Sequence, residues 1–282
     1  MKNSKLLIIL SISFLLFANN NIFSQVIGST PRNQVYDKIH ISERTPIPYP
    51  PIREADVVWS KRIWCMLDLR QKMNLPLYFP LQPIAGKMSL AQLIWDSVIS
   101  GDLTAYEDEN FTIPMTVSEV IANNTDTITR PVPSLLDPEI DSIIYIYEQF
   151  KASNVKKIYL KEDWFFDKQR SELDQRTIGV SLIKDEFTAE GERKGAKSIF
   201  WIYFPEARPI FANHDVFNIN NDAKKMSYDD LFWKRYFSST VLKEENVYDR
   251  WINEYAVGLD ALLEAERVKN DLFKFEHDLW EY

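Results

Sequence analysis

Residues 176–204 read RTIGVSLIKDEFTAEGERKGAKSIFWIYF. Apolar and polar side chains alternate from Arg176 to Lys184, and residues 198–204 are almost wholly β-branched or aromatic. Both patterns are typical of β-strands. The polar, glycine-containing residues 185–197 between them indicate a hairpin with a long tip. The stretch therefore predicts two neighbouring antiparallel strands.

Further strand signals lie just before this hairpin. Residues 143–150 form an apolar and aromatic run, and residues 155–160 and 163–167 have strand composition. Three prolines predict a loop over 127–138. Together these segments predict a mostly antiparallel sheet of three to five strands.

Helical patterns lie on both sides of the strand block. We predict helices over 54–73, 88–102 and 227–237, with Ser89 at the start of the second and Gly101 at its end. The clearest stripe is in the C-terminal helix, where apolar residues recur at steps of four and three. Its members are Ala261, Ala265, Val268, Leu272, Phe275 and Leu279. Because no strand–helix–strand alternation is present, the predicted class is α+β: the sheet with flanking helices and a C-terminal helix.

The N-terminal residues have the pattern of a secretory signal peptide. Two lysines precede the apolar run Leu6–Phe17, which is shorter than the roughly 20 residues that a membrane span needs. We expect residues 1–24 to be the signal peptide and cleavage to fall near Ser24. The expected organisation is then a proline-rich extended arm over 25–53 and a single α+β domain over 54–282. No direct membrane insertion of the mature chain is expected.

Composition argues against nucleic-acid and nucleotide binding. The formal net charge is −8, whereas phosphate contacts need a basic surface. Glycine occurs only 7 times in 282 residues, and no glycine-rich phosphate loop is present. We therefore expect no nucleic-acid partner and no cofactor.

The arm and the segment after it supply the candidate partner-binding residues. These are Pro46, Pro48, Tyr49, Pro50, Pro51, Trp64 and Cys65. The prolines favour extended backbone, which is consistent either with a solvated linker or with an arm that docks on a neighbouring subunit. Trp64 lies off the apolar stripe of the predicted first helix, so it is a candidate either for contact with a partner or for packing in the core. The single cysteine excludes an intrachain disulfide, so Cys65 is either buried or pairs with another chain.

No combination of residues points clearly to catalysis or to a metal. The three histidines are His40, His214 and His277, and no two of them have metal-ligand spacing. The pair His214–Asp215 is the best acid–base candidate, but such a dipeptide more often caps a turn. Glu162 and Asp163 are adjacent in a predicted strand, so their side chains point to opposite faces. The acidic residues 107–109 lack the spacing of a cation site and indicate a solvated loop. We expect no enzyme activity and no metal site.

Four long stretches resemble one known family. They are residues 53–80 (READVVWSKRIWCMLDLRQKMNLPLYFP), 158–180 (IYLKEDWFFDKQRSELDQRTIGV), 198–213 (SIFWIYFPEARPIFAN), and 230–250 with 258–282. Together they resemble the gliding motility protein GldN, called PorN in non-gliding relatives, over nearly the whole mature chain.

The resemblance implies a non-catalytic structural component of the type IX protein secretion system. It implies a periplasmic location at the inner face of the outer membrane, reached through a GldK- or PorK-like lipoprotein. It also implies assembly with that lipoprotein into a ring, and contact with a GldM- or PorM-like inner-membrane motor protein. The alternative from the residues is an exported carbohydrate- or peptide-binding module in which Trp164, Trp201 and Trp233 form a platform.

Overall fold

The computed structural model describes residues 43–84, 86–133, 141–148, 150–187, 193–218 and 225–279. The strands of this part are β1 (Val57–Asp68), β2 (Ala105–Tyr106), β3 (Pro114–Met115), β4 (Asp126–Pro133), β5 (Asp141–Glu148), β6 (Val155–Asp167), β7 (Glu172–Phe187), β8 (Arg193–Tyr203) and β9 (Thr240–Glu244). The α-helices are α1 (Leu75–Tyr78), α2 (Leu90–Ser100), α3 (Val117–Asn124), α4 (Phe204–Ala212), α5 (Tyr228–Trp233), α6 (Ile252–Tyr255) and α7 (Leu259–Asp278).

One antiparallel sheet dominates the fold. Its seven strands have the order β3-β2-β8-β7-β6-β1-β9, and β4 pairs with β5 in a separate two-stranded sheet. Strands β7 and β8 are the predicted hairpin partners, with Gly179 opposite Tyr203. The α+β class and the C-terminal helix are confirmed. The predicted number of three to five strands is wrong, since the main sheet has seven.

The expected first helix over 54–73 is instead strand β1, which lies between β6 and β9. Both faces of β1 are covered in its second half, where Ile63, Trp64, Cys65 and Leu67 are all buried. A strand covered on both faces loses the alternation that identifies a half-buried strand. The remaining apolar spacing then matches a helix equally well, which explains the error.

The expected loop over 127–138 is also partly wrong, because its first residues form β4. Prolines cannot donate to a sheet ladder and are found mainly on edge strands. In a two-stranded sheet each strand has one free edge, so Pro131 and Pro133 are tolerated there. The remaining residues of that prediction lie outside the described part of the chain.

Capping geometry confirms both predicted ends of α2 and the predicted start of α5, whereas α5 ends at Trp233 and not at 237 as predicted. The Ser89 side chain accepts a hydrogen bond from the Gln92 amide at the start of α2. Gly101 ends the helix at φ 85°, in the left-handed region that glycine adopts without strain. Ser227 caps α5 in the same way, with its side chain accepting from the Asp230 amide.

The core joins the sheet to helices α2, α4, α5 and α7. Strand residues such as Ile63 and Leu160 belong to one buried cluster with Phe211 of α4 and Phe232 of α5. On α7 the predicted stripe supplies Ala265, Val268 and Leu272 to this cluster, and Phe275 stacks on Trp59 at 4.6 Å between ring centroids. The predicted apolar stripe of the last helix therefore docks on the sheet.

Candidate partner-binding site

The described part of the arm, residues 43–53, lies against the folded body. Arg44 forms an ion pair with Asp230 in the first turn of α5, with Nη2 2.7 Å from Oδ1. Burial works to raise the pKa of Asp230, but the hydrogen bonds from Arg44 and from the Ser227 amide outweigh it, so its pKa lies below the ordinary value. The arm is thus anchored electrostatically at its beginning.

Two arginines of the body hold the arm through its carbonyl groups. Arg208 Nη2 donates to the Ile47 carbonyl at 2.6 Å, and Arg176 Nη2 donates to the Pro50 carbonyl at 2.5 Å. Proline has no backbone N–H, so a proline-rich segment offers mainly acceptors. Arginine, which carries only donors, is the side chain that suits such a segment.

Tyr49 is the aromatic centre of this contact. Its ring stacks on Trp233 at 5.1 Å between centroids with an interplanar angle of 14°. The guanidinium of Arg208 lies 4.0 Å from the Tyr49 ring centroid, and that of Arg176 lies 4.8 Å from it. Each contact is of the stacked or cation–π kind, with contributions of about 0.5–1.5 kcal/mol. We call Tyr49, Arg176, Arg208 and Trp233 the tyrosine cluster.

A buried ion pair between Arg208 and Asp229 fixes the position of Arg208 in the tyrosine cluster. Arg208 Nε and Nη2 donate to the two carboxylate oxygens of Asp229 at 2.8 and 3.2 Å. The Arg208 and Asp229 side chains are only 6% and 9% exposed. The two-pronged geometry fixes the plane of the guanidinium, which lets its face meet the Tyr49 ring.

Burial sets the protonation behaviour around Tyr49. Burial raises the pKa of Tyr49, although Arg208 and Arg176 act in the opposite direction. Burial also lowers the pKa of Arg176 from its ordinary value. The ring therefore stays a neutral phenol, and its contacts to the arginines are cation–π contacts rather than ion pairs.

A cavity of about 210 Å³ lies between the arm, the start of β7 and the end of α5. Its lining includes Tyr49, Asp174, Gln175, Thr177 and Trp233. The buried Gln175 Oε1 has no hydrogen-bond partner within the described residues. The cavity is thus a small polar space beside an aromatic pair.

The arm residues predicted to bind a partner differ in accessibility. Pro48 and Pro51 are exposed, whereas Pro46, Tyr49 and Pro50 are half-buried. The observed docking of the arm is on its own chain. Contact between the arm and a neighbouring subunit stays a prediction.

Trp64 lies inside the molecule, on the sheet face away from Cys65. Its side chain is 5% exposed. Lys243 Nζ lies 4.4 Å from its ring centroid and Lys161 Nζ lies 5.7 Å from it. Burial lowers the pKa of Lys161. Trp64 is therefore enclosed by two buried ammonium groups of neighbouring strands.

The acidic loop over 107–113 covers the same sheet face. Asp108 accepts hydrogen bonds from the Thr112 and Ile113 amides at 2.9 and 3.0 Å, which indicates a self-capped loop. The loop places the Phe111 ring over Gly179, where a Cβ atom would come within 2.6 Å of it. The expectation of a solvated acidic loop thus holds for Asp108, while Phe111 packs on the sheet.

Cys65 is buried on the other face of β1, at 3% exposure. Its Sγ atom lies 3.9 Å from Oε2 of Glu162, whose carboxylate accepts from Arg235 at 2.9 Å. Burial raises the pKa of the Cys65 thiol, and the Glu162 charge acts in the same direction. The thiol therefore stays protonated, and a disulfide to another chain would require β1 to be uncovered.

The acid–base candidates are occupied with structural contacts. His214 Nδ1 is 2.9 Å from the Ile210 carbonyl, at the end of α4. Glu162 pairs with Arg235, whereas Asp163 pairs with Arg62 at 2.6 Å, as expected for neighbours on opposite faces of a strand. In the described part of the chain no three His, Cys, Asp or Glu side chains are grouped to hold a metal ion. The helices of that part are also too short or too polar to cross a membrane.

The three tryptophans of the alternative platform are not equally accessible. Trp201 is buried and Trp164 is half-buried beneath Arg235, whose guanidinium lies 5.0 Å from its ring. Trp233 is 42% exposed, and it lines the polar cavity. Of the three, Trp233 is the one that presents an exposed ring.

Sequence reasoning missed the arginines that receive the arm. Arg176 and Arg208 are far from Tyr49 along the chain, and no spacing rule links them. The available signal is Arg208 within the apolar run of PEARPIFAN, since a charge on a short, largely apolar helix needs a partner.

Comparisons with known proteins agree with this description. A search of curated proteins finds no match. Residues 52–281 match the family model described as gliding motility associated protein GldN. The matched range contains the whole sheet, helix α7 and the tyrosine cluster except its arm residue, Tyr49. Because this range covers most of the sequence, the chain belongs to the GldN family of gliding motility associated proteins.

Proposed function

We propose that the chain is a non-catalytic, periplasmic structural part of the type IX secretion machinery and acts by binding other proteins. The observation that carries this proposal is the match to the GldN family over residues 52–281. Membership in that family implies a component of the gliding motility and type IX secretion machinery. The ionisable candidates described above are engaged in structural contacts, which is consistent with a role that needs no catalysis.

The proposed partners are a GldK- or PorK-like lipoprotein and a GldM- or PorM-like inner-membrane motor protein. Assembly with the lipoprotein would form a ring under the outer membrane. The signal-peptide pattern over 1–24 supports export, and the acidic sequence is suited to contacts with other proteins rather than nucleic acid. A ring requires heterologous contacts, in which one patch of a copy meets a different patch of the next.

Within this proposal the docked part of the arm, residues 43–53, connects the earlier residues of the arm to the folded body. The Arg44–Asp230 ion pair and the tyrosine cluster together hold residues 44–50 on the chain's own surface. The exposed Pro48 and Pro51 are then the arm residues that a neighbouring protein meets first. Contacts through Trp64 or Cys65 would require the groups that cover the two faces of β1 to move away, because both side chains are buried.

The test is affinity purification of the tagged mature chain, residues 25–282, from its native envelope in mild detergent. Mass spectrometry should find a lipoprotein and an inner-membrane motor protein in stoichiometric amounts. A chain that is recovered alone at normal abundance would contradict the assembly. A tagged, unrelated periplasmic protein from the same envelope is the control for adventitious capture.

The arm is tested separately by deletion of residues 26–51. Loss of ring assembly, with the body still folded by circular dichroism, would show that the arm takes part in assembly. Unchanged assembly and unchanged co-purification would make the arm a linker. The variant Tyr49→Ala, which keeps the arm but removes its anchor, distinguishes the loss of the segment from the loss of its docking.

A second candidate function rests on one observation, the exposed Trp233 beside the polar cavity. An aromatic ring next to carboxylate, amide and hydroxyl groups is an arrangement that suits a carbohydrate or a peptide. Titration with soluble glycans and peptides should then change tryptophan fluorescence in the natural chain but not in Trp233→Phe. No change with either protein would remove this candidate.

A further inference from the structure

Exposed apolar side chains are concentrated between β9 and the first turns of α7. Val247 is 99% exposed, and Leu259 and Leu262 are 69% and 59% exposed. We call this group the C-terminal apolar surface. Its members are Val247, Tyr248, Tyr255, Val257, Leu259, Leu262 and Leu263. Scattered exposed apolar residues are normal, whereas a group of this size within 17 positions indicates an interaction site.

Hydrogen bonds and an ion pair fix the loop that carries the first two members. Asn246 Nδ2 donates to the carbonyls of Glu244 and Arg250, and its Oδ1 accepts from the amides of Tyr248 and Arg250. Asp249, which follows Tyr248 in this loop, forms an ion pair with the buried Lys243 at 2.5 Å. The apolar side chains are therefore presented by an ordered turn, which lowers the entropic cost of binding.

Side-chain contacts connect the loop to α7. The Arg250 guanidinium lies 4.5 Å from the Tyr248 ring centroid and 5.7 Å from that of Tyr255. The Tyr255 hydroxyl is 3.3 Å from Oε1 of Glu264, which in turn pairs with Arg267. The loop, α6 and the start of α7 thus form one continuous surface.

Helix α7 has apolar residues on two sides. Ala265, Val268 and Leu272 face the core, as described above. Leu259, Leu262 and Leu263 are exposed and occupy positions i, i+3 and i+4, so they lie together on another part of the helix surface. Docking on the sheet uses only the first set, and the leucines of the second set have room for another helix to pack against them.

The charge around this surface is acidic. Residues 247–267 contain five acidic residues, Asp249, Glu254, Asp260, Glu264 and Glu266, and two basic residues, Arg250 and Arg267. From Glu244 to Tyr282 the count is eleven acidic residues against four basic ones. A docked segment that carried acidic residues would be repelled, whereas lysine or arginine beside its apolar residues would be attracted.

We propose that the C-terminal apolar surface docks a basic amphipathic helix of a partner protein. The exposed leucines would contact the apolar face of that helix, and Asp260 and Glu266 would meet its flanking cations. Tyrosine and arginine, the residue types enriched at interface hot spots, are present in Tyr248, Tyr255 and Arg250. The inference deepens the proposed function, because it rests on the chain acting through protein partners.

The test uses the folded mature chain, residues 25–282, and a synthetic 18-residue helix with leucines on one face and lysines beside them. A second peptide has the same leucines with glutamates in place of the lysines. We expect the lysine peptide to bind at least about tenfold more tightly than the glutamate peptide, as measured by fluorescence anisotropy. Binding of the lysine peptide should weaken several-fold when the salt concentration is raised from about 50 to about 500 mM.

Variants of the protein show whether binding occurs at this surface. The double substitution Leu259→Ser with Leu262→Ser removes two exposed leucines without changing the charge, and should weaken binding of the lysine peptide by at least about tenfold. The matched control is Ile84→Ser with Ile113→Ser, two exposed apolar residues outside this surface, and it should leave binding unchanged. Circular dichroism checks that both variants are folded.

Three results of the peptide-binding measurements would overturn the proposal. They are equal binding of the two peptides, equal weakening by the leucine and isoleucine substitutions, and no binding of the lysine peptide. Self-association of the chain that Leu262→Ser abolishes, seen by sedimentation without any peptide, would make a second copy the occupant and would also contradict it. The envelope purification described above is read independently, so failure of peptide docking does not count against membership in the secretion machinery.

Discussion

The tyrosine cluster and the C-terminal apolar surface differ in whether their aromatic and apolar side chains are covered. Around the arm, Tyr49 is covered by Trp233 and by the guanidinium groups of Arg176 and Arg208. At the start of α7, leucines remain exposed although the backbone beneath them is well ordered. The first region is a contact between the arm and the folded body of the same chain. The second has the composition of an interface but is uncovered within the described residues, so it is the better candidate for an external partner.

The largest effect should come from breaking the buried support of the arm. Arg208→Ala leaves Asp229 buried without its partner, which should cost about 3–5 kcal/mol in the free energy of unfolding. Urea denaturation followed by tryptophan fluorescence measures this loss. Arg70→Ala is the control, since Arg70 is exposed and its pair with the half-buried Asp68 should contribute at most about 1 kcal/mol. Equal losses in the two variants would contradict the distinction between buried and exposed pairs.

The two sides of α7 should respond very differently to truncation. Leu272→Ala removes a buried side chain and should cost about 2–4 kcal/mol in thermal or urea unfolding. Leu262→Ala removes an exposed one and should change stability by no more than about 0.5 kcal/mol. A large loss for Leu262→Ala would mean that the outer leucines contribute to the fold of the chain itself.

Removal of the tyrosine ring should release the arm while leaving the body folded. Tyr49→Ala loses a stacked contact and two cation–π contacts, with an expected cost of about 1–3 kcal/mol. Tyr49→Phe keeps the ring and should retain most of that stability. Limited proteolysis measures the effect, because a released arm is cut faster. Equal cutting rates in Tyr49→Ala and in the natural chain would show that the carbonyl contacts alone hold the arm.

The smallest effect should be an acid-induced loosening at Arg44. The pKa of Asp230 is lowered in the folded chain, so its contribution to stability is present above the ordinary carboxyl pKa of about 4. It is lost as the pH falls below that value through the lowered folded pKa. Arm cutting by an acid-active protease should therefore increase more steeply below pH 4 in the natural chain than in Arg44→Ala. Identical pH profiles would contradict this role of the pair.

The correctly predicted parts of the fold depend on residues that are close together in the sequence. Alternation over 176–184 and the aromatic run over 198–204 were sufficient to predict β7 and β8. Serine caps at Ser89 and Ser227 marked the helix starts, because a cap needs only a side chain and an amide two or three residues away. Strand β1 was missed because its two covered faces hide the period of a strand.

The candidate site was only partly predictable. The sequence predicted a proline-rich extended arm and named Tyr49 as a candidate partner-binding residue, and contact with a partner stays a prediction. The residues that hold Tyr49 were not predicted, because Arg176 and Trp233 are distant from it in sequence and contact it only in the tertiary structure. Strand β8 pairs with β7 from Gly179 onward, which leaves the first residues of β7 to contact the arm. Trp64 was named as a candidate for partner contact or for core packing, and the structure places its ring between two lysines of neighbouring strands.

Four properties could be inferred from the sequence alone: the GldN resemblance, the antiparallel hairpin, the C-terminal helix and the acidic character of the outer face of that helix. These properties follow from local order along the chain and from residue counts. The three-dimensional structure was needed to show that β1 is an interior strand of the sheet, that Arg208 holds Tyr49, and that the outer leucines of α7 are exposed. The cation–π contact between Arg208 and Tyr49 joins residues more than a hundred positions apart, and burial likewise depends on residues distant in sequence. No local pattern in the sequence could therefore specify these features.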